Sequence, residues 1–229
     1  MSVLSTVACF HNLPPDALLR LERGGYAVNP RDGEQIFPQG NPANEVYAIV
    51  AGDGRVRIGS SSAQSKSLMA QLFSAGDIFG EIGVIDGGVR SAEAVALGRV
   101  RLWRISSTAF IEVLNSTPAL GVALARLLCQ RLRRTYTMLQ DATFATVEVR
   151  LARQVLYLAG LNGRRTEFGT QLAGRFRQGD LADLLGTTPR SIITILNSWR
   201  ASGVVTYDTN TAQLTVHNET ELRKLVQDS

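Results

Sequence analysis

The feature that most constrains the fold of this chain is a long helical stretch, Pro118 to Phe144, with a narrow apolar stripe. The stripe advances by alternating steps of three and four residues. We call it the seam: Ala125, Leu128, Leu132, Thr135, Leu139 and Ala142. A spacing of about 3.5 residues is typical of coiled coils, in which two helices pack along one line. The other faces of the stretch carry Arg126, Arg131, Arg133 and Arg134. Because an ordinary helix would rest a wider apolar face on a core, the pattern predicts a homodimer axis.

Thr135 is the polar member of the seam, and it places a hydroxyl among leucine and alanine side chains. Leaving a buried hydroxyl without a partner costs about 1–3 kcal/mol, so we expect Thr135 to be hydrogen-bonded. It can bond to a carbonyl one turn earlier in its own helix, as buried helical threonines often do. It can also bond to a group outside the helix, such as a ligand. The sequence pattern leaves both partners open.

Length and composition are those of a globular protein with room for two domains, since 229 residues include 45% hydrophobic and 19% charged residues. No apolar run approaches the ~20 residues of a membrane span. The first ten residues lack a basic segment, so a secretion signal is not expected. We therefore expect a cytoplasmic protein without a membrane partner. Two cysteines, Cys9 and Cys129, are too few for a four-thiolate metal site and are expected in the core.

Charge is distributed unequally along the chain. Residues 1–116 carry 10 Lys and Arg against 11 Asp and Glu, whereas residues 117–229 carry 14 against 9. Nearly all of the positive charges in the C-terminal half are arginines, which suit bidentate contacts with phosphate and guanine. Solvated helix faces can look the same, so the charge needs a motif to support a nucleic-acid partner.

The N-terminal half, from Tyr26 to Leu102, consists of short apolar runs separated by turn residues, which is typical of a β-sandwich or barrel. An N-terminal helix is expected at Asp16–Glu22 and a short helix at Ile82–Ile85, and the polar stretch Gly59–Ser67 is expected to form a hairpin tip. The predicted strands are Gln35–Phe37, Val46–Val50, Val56–Ile58, Leu68–Phe73 and Val100–Ile105.

The segment Gly76–Ala92 carries the candidate ligand-binding chemistry. Gly80 and Glu81 open the short helix, where backbone N–H groups can approach an anion. Arg90 can neutralise a phosphate charge, and Ser91 can donate a hydroxyl hydrogen bond. A carboxylate at Glu81 would repel that phosphate, so it must face another part of the ligand, and a sugar hydroxyl fits. In the alternative interpretation, Glu81 and Arg90 form a structural salt bridge within a turn.

The C-terminal half begins after a hinge at Phe144–Thr146 and contains a helix-turn-helix pattern at residues 178–197. Gly186 permits the left-handed backbone of the turn. Thr188 then caps a second helix that has Pro189 at its first position. A helix from Thr146 to about Leu158 and an arginine-containing hairpin within 164–177 precede this motif, and a winged hairpin (Gly203–Val216) and a helix capped by Asn218 follow it.

The second helix of the motif has two faces. The face expected to be buried contains Ile192, Ile195, Leu196 and Trp199. Short polar residues around one arginine suit the major groove of DNA. The predicted DNA-binding residues are Thr188, Arg190, Ser191, Thr194 and Asn197. A helical hairpin in an enzyme core could share the apolar pattern, but the added wing favours a winged helix-turn-helix.

The residues Gly80-Glu81-Ile82 and Arg90-Ser91-Ala92 resemble the phosphate-binding cassette of cyclic-nucleotide-binding domains. Together with the seam helix and the helix-turn-helix, nearly the whole chain is similar to the bacterial cyclic-AMP receptor protein family (CRP/FNR regulators). The resemblance implies a backbone contact from Gly80, a bond from Glu81 to the ribose 2′-hydroxyl, and phosphate contacts from Arg90 and Ser91. It also implies that the purine lies against the dimer helix, bonded by a threonine that aligns with Thr135.

Several positions depart from the family pattern. Tyr136 stands where the second subunit often supplies Ser, Thr or Asn, so the choice between adenine and guanine is open. Pro189, Arg190 and Thr194 replace the usual Arg, Glu and Arg of the reading helix, so the usual operator is not implied. Arg177 replaces a frequent Thr or Ser cap. The haem and iron–sulfur branches of the family need ligands that this chain lacks, so no metal or covalent cofactor is expected.

We therefore expect an α+β chain with an N-terminal jelly-roll-like β-roll (1–116), a central dimerisation helix (117–144) and a C-terminal winged helix-turn-helix (145–229). The expected function is transcription regulation on a near-palindromic double-stranded DNA site, controlled by cAMP, with RNA polymerase as a further partner. Control by cGMP or another nucleotide, or independence of any ligand, is the first alternative. A regulatory subunit of an enzyme is a more distant one, and no catalytic group is expected. The predicted ligand site comprises Gly80, Glu81, Ile82, Arg90, Ser91, Ala92, Thr135 and Tyr136.

Overall fold

The computed structural model describes residues 2–61 and 67–227. It contains two compact units, the first built from Met1–Ser61 and Ala70–Arg134 and the second mainly from Thr135–Ser229. After two short 3-10 helices, Val3–Thr6 and Ala8–Phe10, the elements up to the long helix are α1 (Pro15–Arg23), β1 (Gly25–Val28), β2 (Gln35–Phe37), β3 (Glu45–Gly52), β4 (Arg55–Ser61), β5 (Ser67–Phe73), β6 (Ile78–Phe79), α2 (Glu81–Asp86), β7 (Glu93–Leu97), β8 (Val100–Ser106), α3 (Ser107–Ser116) and α4 (Pro118–Phe144).

The first unit is a roll of two four-stranded antiparallel sheets, ordered β1-β8-β3-β6 and β2-β7-β4-β5. Side chains from both sheets meet in one apolar cluster, to which Tyr47, Ile49 and Phe79 contribute from one sheet and Val56 and Ala96 from the other. The rings of Tyr47 and Phe79 stack with their centroids 5.2 Å apart. Burial of this interior is the main stabilising contribution to the roll. The predicted N-terminal β-roll is thus confirmed.

A second apolar cluster lies on the other face of the first sheet, where Val46 and Ala48 of β3 pack with residues of the helices. Phe110 of α3 and Leu120 and Leu124 of α4 belong to this cluster. Strand β3 is therefore buried on both faces, which explains why its sequence, Val46–Ile49, is continuously apolar rather than alternating.

The long helix α4 has the predicted bounds, Pro118–Phe144. Beyond its packed first turns, the apolar seam residues are uncovered within the chain: Leu132 is 54% exposed and Leu139 is 63% exposed.

Cys129 is exposed rather than in the core, so the expectation for this cysteine was wrong, whereas Cys9 is buried as expected. Burial raises the pKa of the Cys9 thiol to about 11. Within the described residues no single helix is long and apolar enough to cross a membrane; α3 and α4 meet that test only jointly and are bent by 108° at their junction.

Besides the two short 3-10 helices, four described elements of the first unit were not predicted from the sequence: β1, β6, β7 and α3. Helix α3 follows β8 without a loop, and the Ser106 hydroxyl caps it by accepting a hydrogen bond from the Ala109 N–H at 3.3 Å. Strand β4 runs to Ser61 and β5 begins at Ser67, so the ends of the stretch predicted as a hairpin tip are strand. The rest of that stretch, 62–66, lies outside the described residues.

The second unit continues after α4 with α5 (Val147–Asn162), β9 (Gly163–Thr166), β10 (Gly169–Leu172), α6 (Gln178–Leu185), α7 (Pro189–Ala201), β11 (Val205–Asp208), β12 (Gln213–Val216) and α8 (Glu219–Gln227). The four strands form one antiparallel sheet ordered β11-β12-β10-β9. Gly186, between α6 and α7, has the predicted left-handed backbone with φ 59°. The predicted winged helix-turn-helix is confirmed.

Caps predicted in the second unit are also observed. The Thr146 hydroxyl accepts the Val149 N–H at 3.3 Å, and Asn218 Oδ1 accepts the Glu221 N–H at 3.3 Å. Trp199 and Ile192 of α7 are buried, but Ile195 is only half-buried, so the buried face of α7 is narrower than predicted. The Trp199 indole N–H donates to Glu148 at 2.8 Å, which ties α7 to α5.

Candidate ligand and nucleic-acid sites

Gly80 lies between β6 and α2 in the left-handed conformation, with φ 78°. Its carbonyl accepts a hydrogen bond from Arg90 Nη1 at 2.7 Å. A Cβ at this position would lie 2.7 Å from the same nitrogen. The left-handed backbone therefore favours glycine, and a larger residue would displace the Arg90 guanidinium.

Arg90 is 3% exposed, and both its backbone and its side chain are held in place. Its N–H donates to the Asn41 carbonyl at 2.8 Å, and its own carbonyl accepts from the Gly40 N–H at 2.9 Å. Its Nη2 donates to Glu45 Oε2 at 3.2 Å, and its guanidinium lies 4.1 Å from the Phe37 ring centroid. Burial lowers the pKa of Arg90, while Tyr47 and Glu45 act in the opposite direction. The side chain is thus a preorganised cation inside the roll.

Glu45 accepts hydrogen bonds from two arginines. One of its oxygens accepts from Arg90, and the other accepts from Arg104 Nη2. Arg104 in turn donates to the Tyr26 hydroxyl at 2.8 Å. The Glu45 hydrogen bond is the largest of the influences that raise the pKa of Arg104. Sequence reasoning missed Glu45, because no local spacing connects a residue at the start of β3 with Arg90.

Glu81 is 1% exposed, and its partner comes from α4. Arg131 Nη1 donates to Glu81 Oε1 at 2.5 Å, and Arg131 Nη2 donates to the Ile78 carbonyl at 2.6 Å. The same guanidinium lies 4.5 Å from the Phe73 ring centroid. The alternative interpretation in which Glu81 pairs with Arg90 is therefore wrong, since the two residues have different partners.

Two polar atoms of this cluster lack a hydrogen-bond partner among the described residues, although both are buried: Arg90 Nε and Glu81 Oε2. The first is a donor on a cation and the second is an acceptor on a carboxylate. A buried polar atom without a partner costs about 1–3 kcal/mol, and such atoms point to a missing ligand or water. The complementary group at Arg90 is an anionic oxygen, and the complementary group at Glu81 is a hydroxyl.

The remaining predicted ligand residues fall into two groups. Within the cassette, Ile82 and Ser91 are exposed and Ala92 is half-buried. Thr135 and Tyr136 lie exposed on α4 within the second unit. Their predicted contact with a purine therefore stays a prediction.

The predicted DNA-reading residues lie at the N-terminal end and on the exposed side of α7. The Thr188 hydroxyl accepts the Ser191 N–H at 3.2 Å, which confirms the predicted cap. The Thr194 hydroxyl donates to the Arg190 carbonyl at 3.0 Å, so its lone pairs remain available as acceptors. Arg190 is exposed in the first turn.

Two further features shape the exposed side of α7. Asn197 Oδ1 accepts from Arg200 Nη1 at 3.4 Å. Ile193, which the sequence reasoning did not consider, is 38% exposed on this helix. It follows Arg190 by three residues and precedes Asn197 by four, so it lies on the same face as both. An exposed apolar side chain among polar readers is the kind of group that contacts a thymine methyl.

Comparison with known families agrees with both sites. Residues 28–117 match the cyclic nucleotide-binding domain, and residues 149–225 match the Crp-like helix-turn-helix domain. The chain belongs to the CRP/FNR family. This is a family of cyclic-nucleotide-binding, DNA-binding transcription regulators, and it is regulatory rather than enzymatic.

Relatives span most of the chain. The CRP-like cAMP-activated global transcriptional regulator of Mycobacterium tuberculosis is 29% identical over 196 residues, which cover 83% of this chain and 84% of the relative. The cyclic AMP receptor protein of Thermus thermophilus is 28% identical over 206 residues, which cover 90% and 91% of the two chains. Among solved structures, the c-di-GMP responsive global regulator CLP of Xanthomonas campestris matches with a TM-score of 0.75. It is 20% identical, with 90% of this chain and 100% of that chain covered, and therefore supports the fold alone.

Proposed function

We propose that this CRP/FNR family member is a homodimeric transcription regulator whose affinity for a specific DNA site is controlled by cAMP. One observation carries the choice of ligand class: two buried atoms, Arg90 Nε and Glu81 Oε2, have no hydrogen-bond partner among the residues that the structure describes. A cyclic nucleotide offers an anionic phosphate oxygen to the first and a ribose 2′-hydroxyl to the second. Inorganic phosphate would satisfy only one of them.

The proposed ligand site consists of Gly80, Glu81, Ile82, Arg90, Ser91 and Ala92 of the first unit with Thr135 and Tyr136 of α4. The buried cation at Arg90 binds the phosphate, and Ser91, which is exposed beside it, adds a hydroxyl. We assign the base as adenine from two relatives. The matched regulator of M. tuberculosis is named as cAMP-activated, and that of T. thermophilus is named as a cyclic AMP receptor. The rival ligands are cGMP, since Tyr136 departs from the family pattern, and c-di-GMP, to which a structural neighbour responds.

The homodimer is supported by the uncovered seam. Leu132 and Leu139, at the same face of α4, are 54% and 63% exposed, and a second copy of the helix would bury them. Fully burying a leucine side chain stabilises by about 1.5–3 kcal/mol. Because the seam carries Thr135 as well, ligand binding and dimer packing share one helix.

The DNA-reading surface in this proposal is the exposed side of α7. Thr188 and Ser191 lie at its N-terminus, and Arg190, Thr194 and Asn197 follow along the helix. Two copies related by a twofold axis would read a near-palindrome, with half-sites roughly 34–36 Å apart. RNA polymerase is the further partner that a regulator bound beside a promoter would contact.

Calorimetry and gel shifts on the full chain test the proposal. Calorimetric titrations use cAMP, cGMP and c-di-GMP separately. Gel shifts use genomic DNA fragments that the protein has selected, with and without each nucleotide. All gel shifts are run at one salt concentration, because phosphate contacts are salt-dependent. We expect cAMP to bind the most tightly and to increase the DNA affinity. A tighter response to either rival would reassign the effector, and DNA binding unaffected by all three would overturn nucleotide control.

A further inference from the structure

Glu45 is a second carboxylate in the ligand cluster, and the cassette pattern does not account for it. Its side chain is 21% exposed, and it is shared by Arg90, whose side chain is 2% exposed, and Arg104, whose side chain is 36% exposed. Two cations therefore surround one anion at the place where the proposed ligand brings a second anion. When a phosphate binds, Arg90 must therefore interact with two anions, Glu45 and the phosphate.

Arg90 does not need Glu45 in order to keep its position. Its Nη1 is bonded to the Gly80 carbonyl at 2.7 Å, its guanidinium lies over the Phe37 ring at 4.1 Å, and its backbone is bonded to the Gly40-Asn41 turn. Removing the charge of Glu45, while keeping an oxygen acceptor, would thus leave the cation in place. The carboxylate is a counter-ion more than a support.

We propose that Glu45 is an internal competitor of the ligand phosphate for Arg90, and that Arg104 moderates this competition by drawing on the same carboxylate. This inference rests on the proposed function, since it concerns the affinity of the same site. A carboxylate and a phosphate that share one guanidinium repel each other, and in a buried setting salt screens that repulsion only weakly. Glu45 therefore lowers the nucleotide affinity below the value that Arg90 alone would give.

The charge argument predicts opposite signs for the two partners. In Glu45→Gln, the side-chain oxygen still accepts hydrogen bonds from the arginines, but the negative charge is gone, so we expect cAMP to bind roughly three- to tenfold more tightly. In Arg104→Gln, Glu45 is left to Arg90 alone, so we expect cAMP to bind more weakly by a similar factor. Because Arg104 acts through Glu45, the double variant should bind like Glu45→Gln.

Glu93→Gln is the matched control. Glu93 is also a buried carboxylate of the roll paired with an arginine, since it accepts from Arg57 Nη2 at 3.0 Å and from Gln35 Nε2 at 3.0 Å. It is not bonded to Arg90 in the structure, so we expect Glu93→Gln to leave the cAMP affinity within twofold of the wild type. The same neutralisation at two carboxylates then separates a local competition from a general change in charge.

The experiment is calorimetric titration of the full-length wild type and the four variants with cAMP. A wild type that does not bind cAMP would overturn the proposed function itself. A wild type that binds, together with a Glu45→Gln variant of equal or weaker affinity, would overturn only this inference and would make Glu45 a support of Arg90. Should Glu45→Gln fail to fold, Arg104→Gln decides the matter, since its side chain is partly exposed: unchanged affinity there contradicts the competition.

Discussion

Arg90 in the roll and Arg190 on α7 are both proposed to bind negatively charged or acceptor groups, yet their surroundings differ. Arg90 is 3% exposed, and its guanidinium is bonded to Gly80 and Glu45 and lies over the Phe37 ring. Arg190 lies exposed in the first turn of its helix. The first site is thus organised by folding, whereas the second must be ordered by the DNA that it binds.

This difference determines how much binding free energy each side chain contributes at the two sites. In the roll, the desolvation of Arg90 and Glu81 is already incurred on folding, so a ligand that satisfies their open atoms gains affinity with little further ordering. On α7, each side chain loses rotamer freedom when it binds, and the gain per contact is smaller. Substitutions in the roll should therefore have larger effects than substitutions on α7.

The largest effect is expected for Arg131→Met. Glu81 is 1% exposed and is paired with Arg131 at 2.5 Å, so the variant leaves a buried carboxylate without its cation. Removing one partner of a buried ion pair costs about 3–5 kcal/mol. We expect denaturant unfolding of the first unit to shift by about that free energy.

Two variants make the Arg131 test specific. Arg126→Met, at an exposed arginine of the same helix, should change the stability by less than about 0.5 kcal/mol. Adding Glu81→Gln to Arg131→Met should recover part of the loss, because the buried group is then neutral. Equal unfolding curves for Arg131→Met and the wild type would contradict the assigned pair.

Arg131 also shows how far the sequence alone can lead. The seam correctly predicts α4 because it repeats within one helix, but for Arg131 it indicates only a position outside the seam. The structure buries that guanidinium against Glu81, a residue 50 positions earlier. Glu45 and Arg90 were missed as a pair for the same reason. Periodicity and capping are local signals, so they predict α4, α7 and the Gly186 turn but not pairs formed by the folding of distant strands.

The candidate sites show the same contrast between local sequence signals and contacts formed by folding. Gly80, Glu81, Arg90 and Ser91 could be predicted because they lie close together in one segment with a recognisable spacing. Helix α3 escaped prediction because it continues β8 without a glycine or proline between them, and only the Ser106 cap marks its start. Sequence reasoning therefore found the atoms that meet the ligand more readily than the groups that hold those atoms.

Arg90→Leu should have the next largest effect. Removing one member of a buried charge pair costs roughly 2–5 kcal/mol, and 1.4 kcal/mol corresponds to a tenfold change in affinity. We therefore expect calorimetry to show cAMP binding weakened at least ~30-fold. Arg57→Leu is the control at another arginine of the roll, since Arg57 pairs with Glu93 instead. An unchanged affinity in folded Arg90→Leu would remove this residue from the site.

Arg190→Ala tests the exposed member of the comparison. A guanidinium fork matches the O6 and N7 acceptors of guanine, and such a contact contributes roughly 1–3 kcal/mol of discrimination. We expect binding-site selection at fixed salt to show a relaxed preference at one base pair in each half-site. Arg175→Ala, at an exposed arginine that precedes α6, should weaken all sequences alike. If wild type and Arg190→Ala select the same motif with the same preferences, Arg190 contacts only phosphate.

Thr135→Ala is expected to have the smallest effect, and it tests whether the two regions are coupled. If the hydroxyl bonds the purine, its removal should lower the cAMP affinity by roughly 0.5–1.5 kcal/mol. Because coupling between two binding sites is reciprocal, the same variant should also reduce the factor by which cAMP increases DNA affinity. Thr137→Ala is the matched control, since Thr137 is likewise exposed on α4 but lies outside the seam. Calorimetry and gel shifts on both variants measure the two quantities together. A Thr135→Ala variant with the affinity and response of the wild type would leave the hydroxyl with a partner in its own helix and would assign the coupling to another residue of the dimer axis.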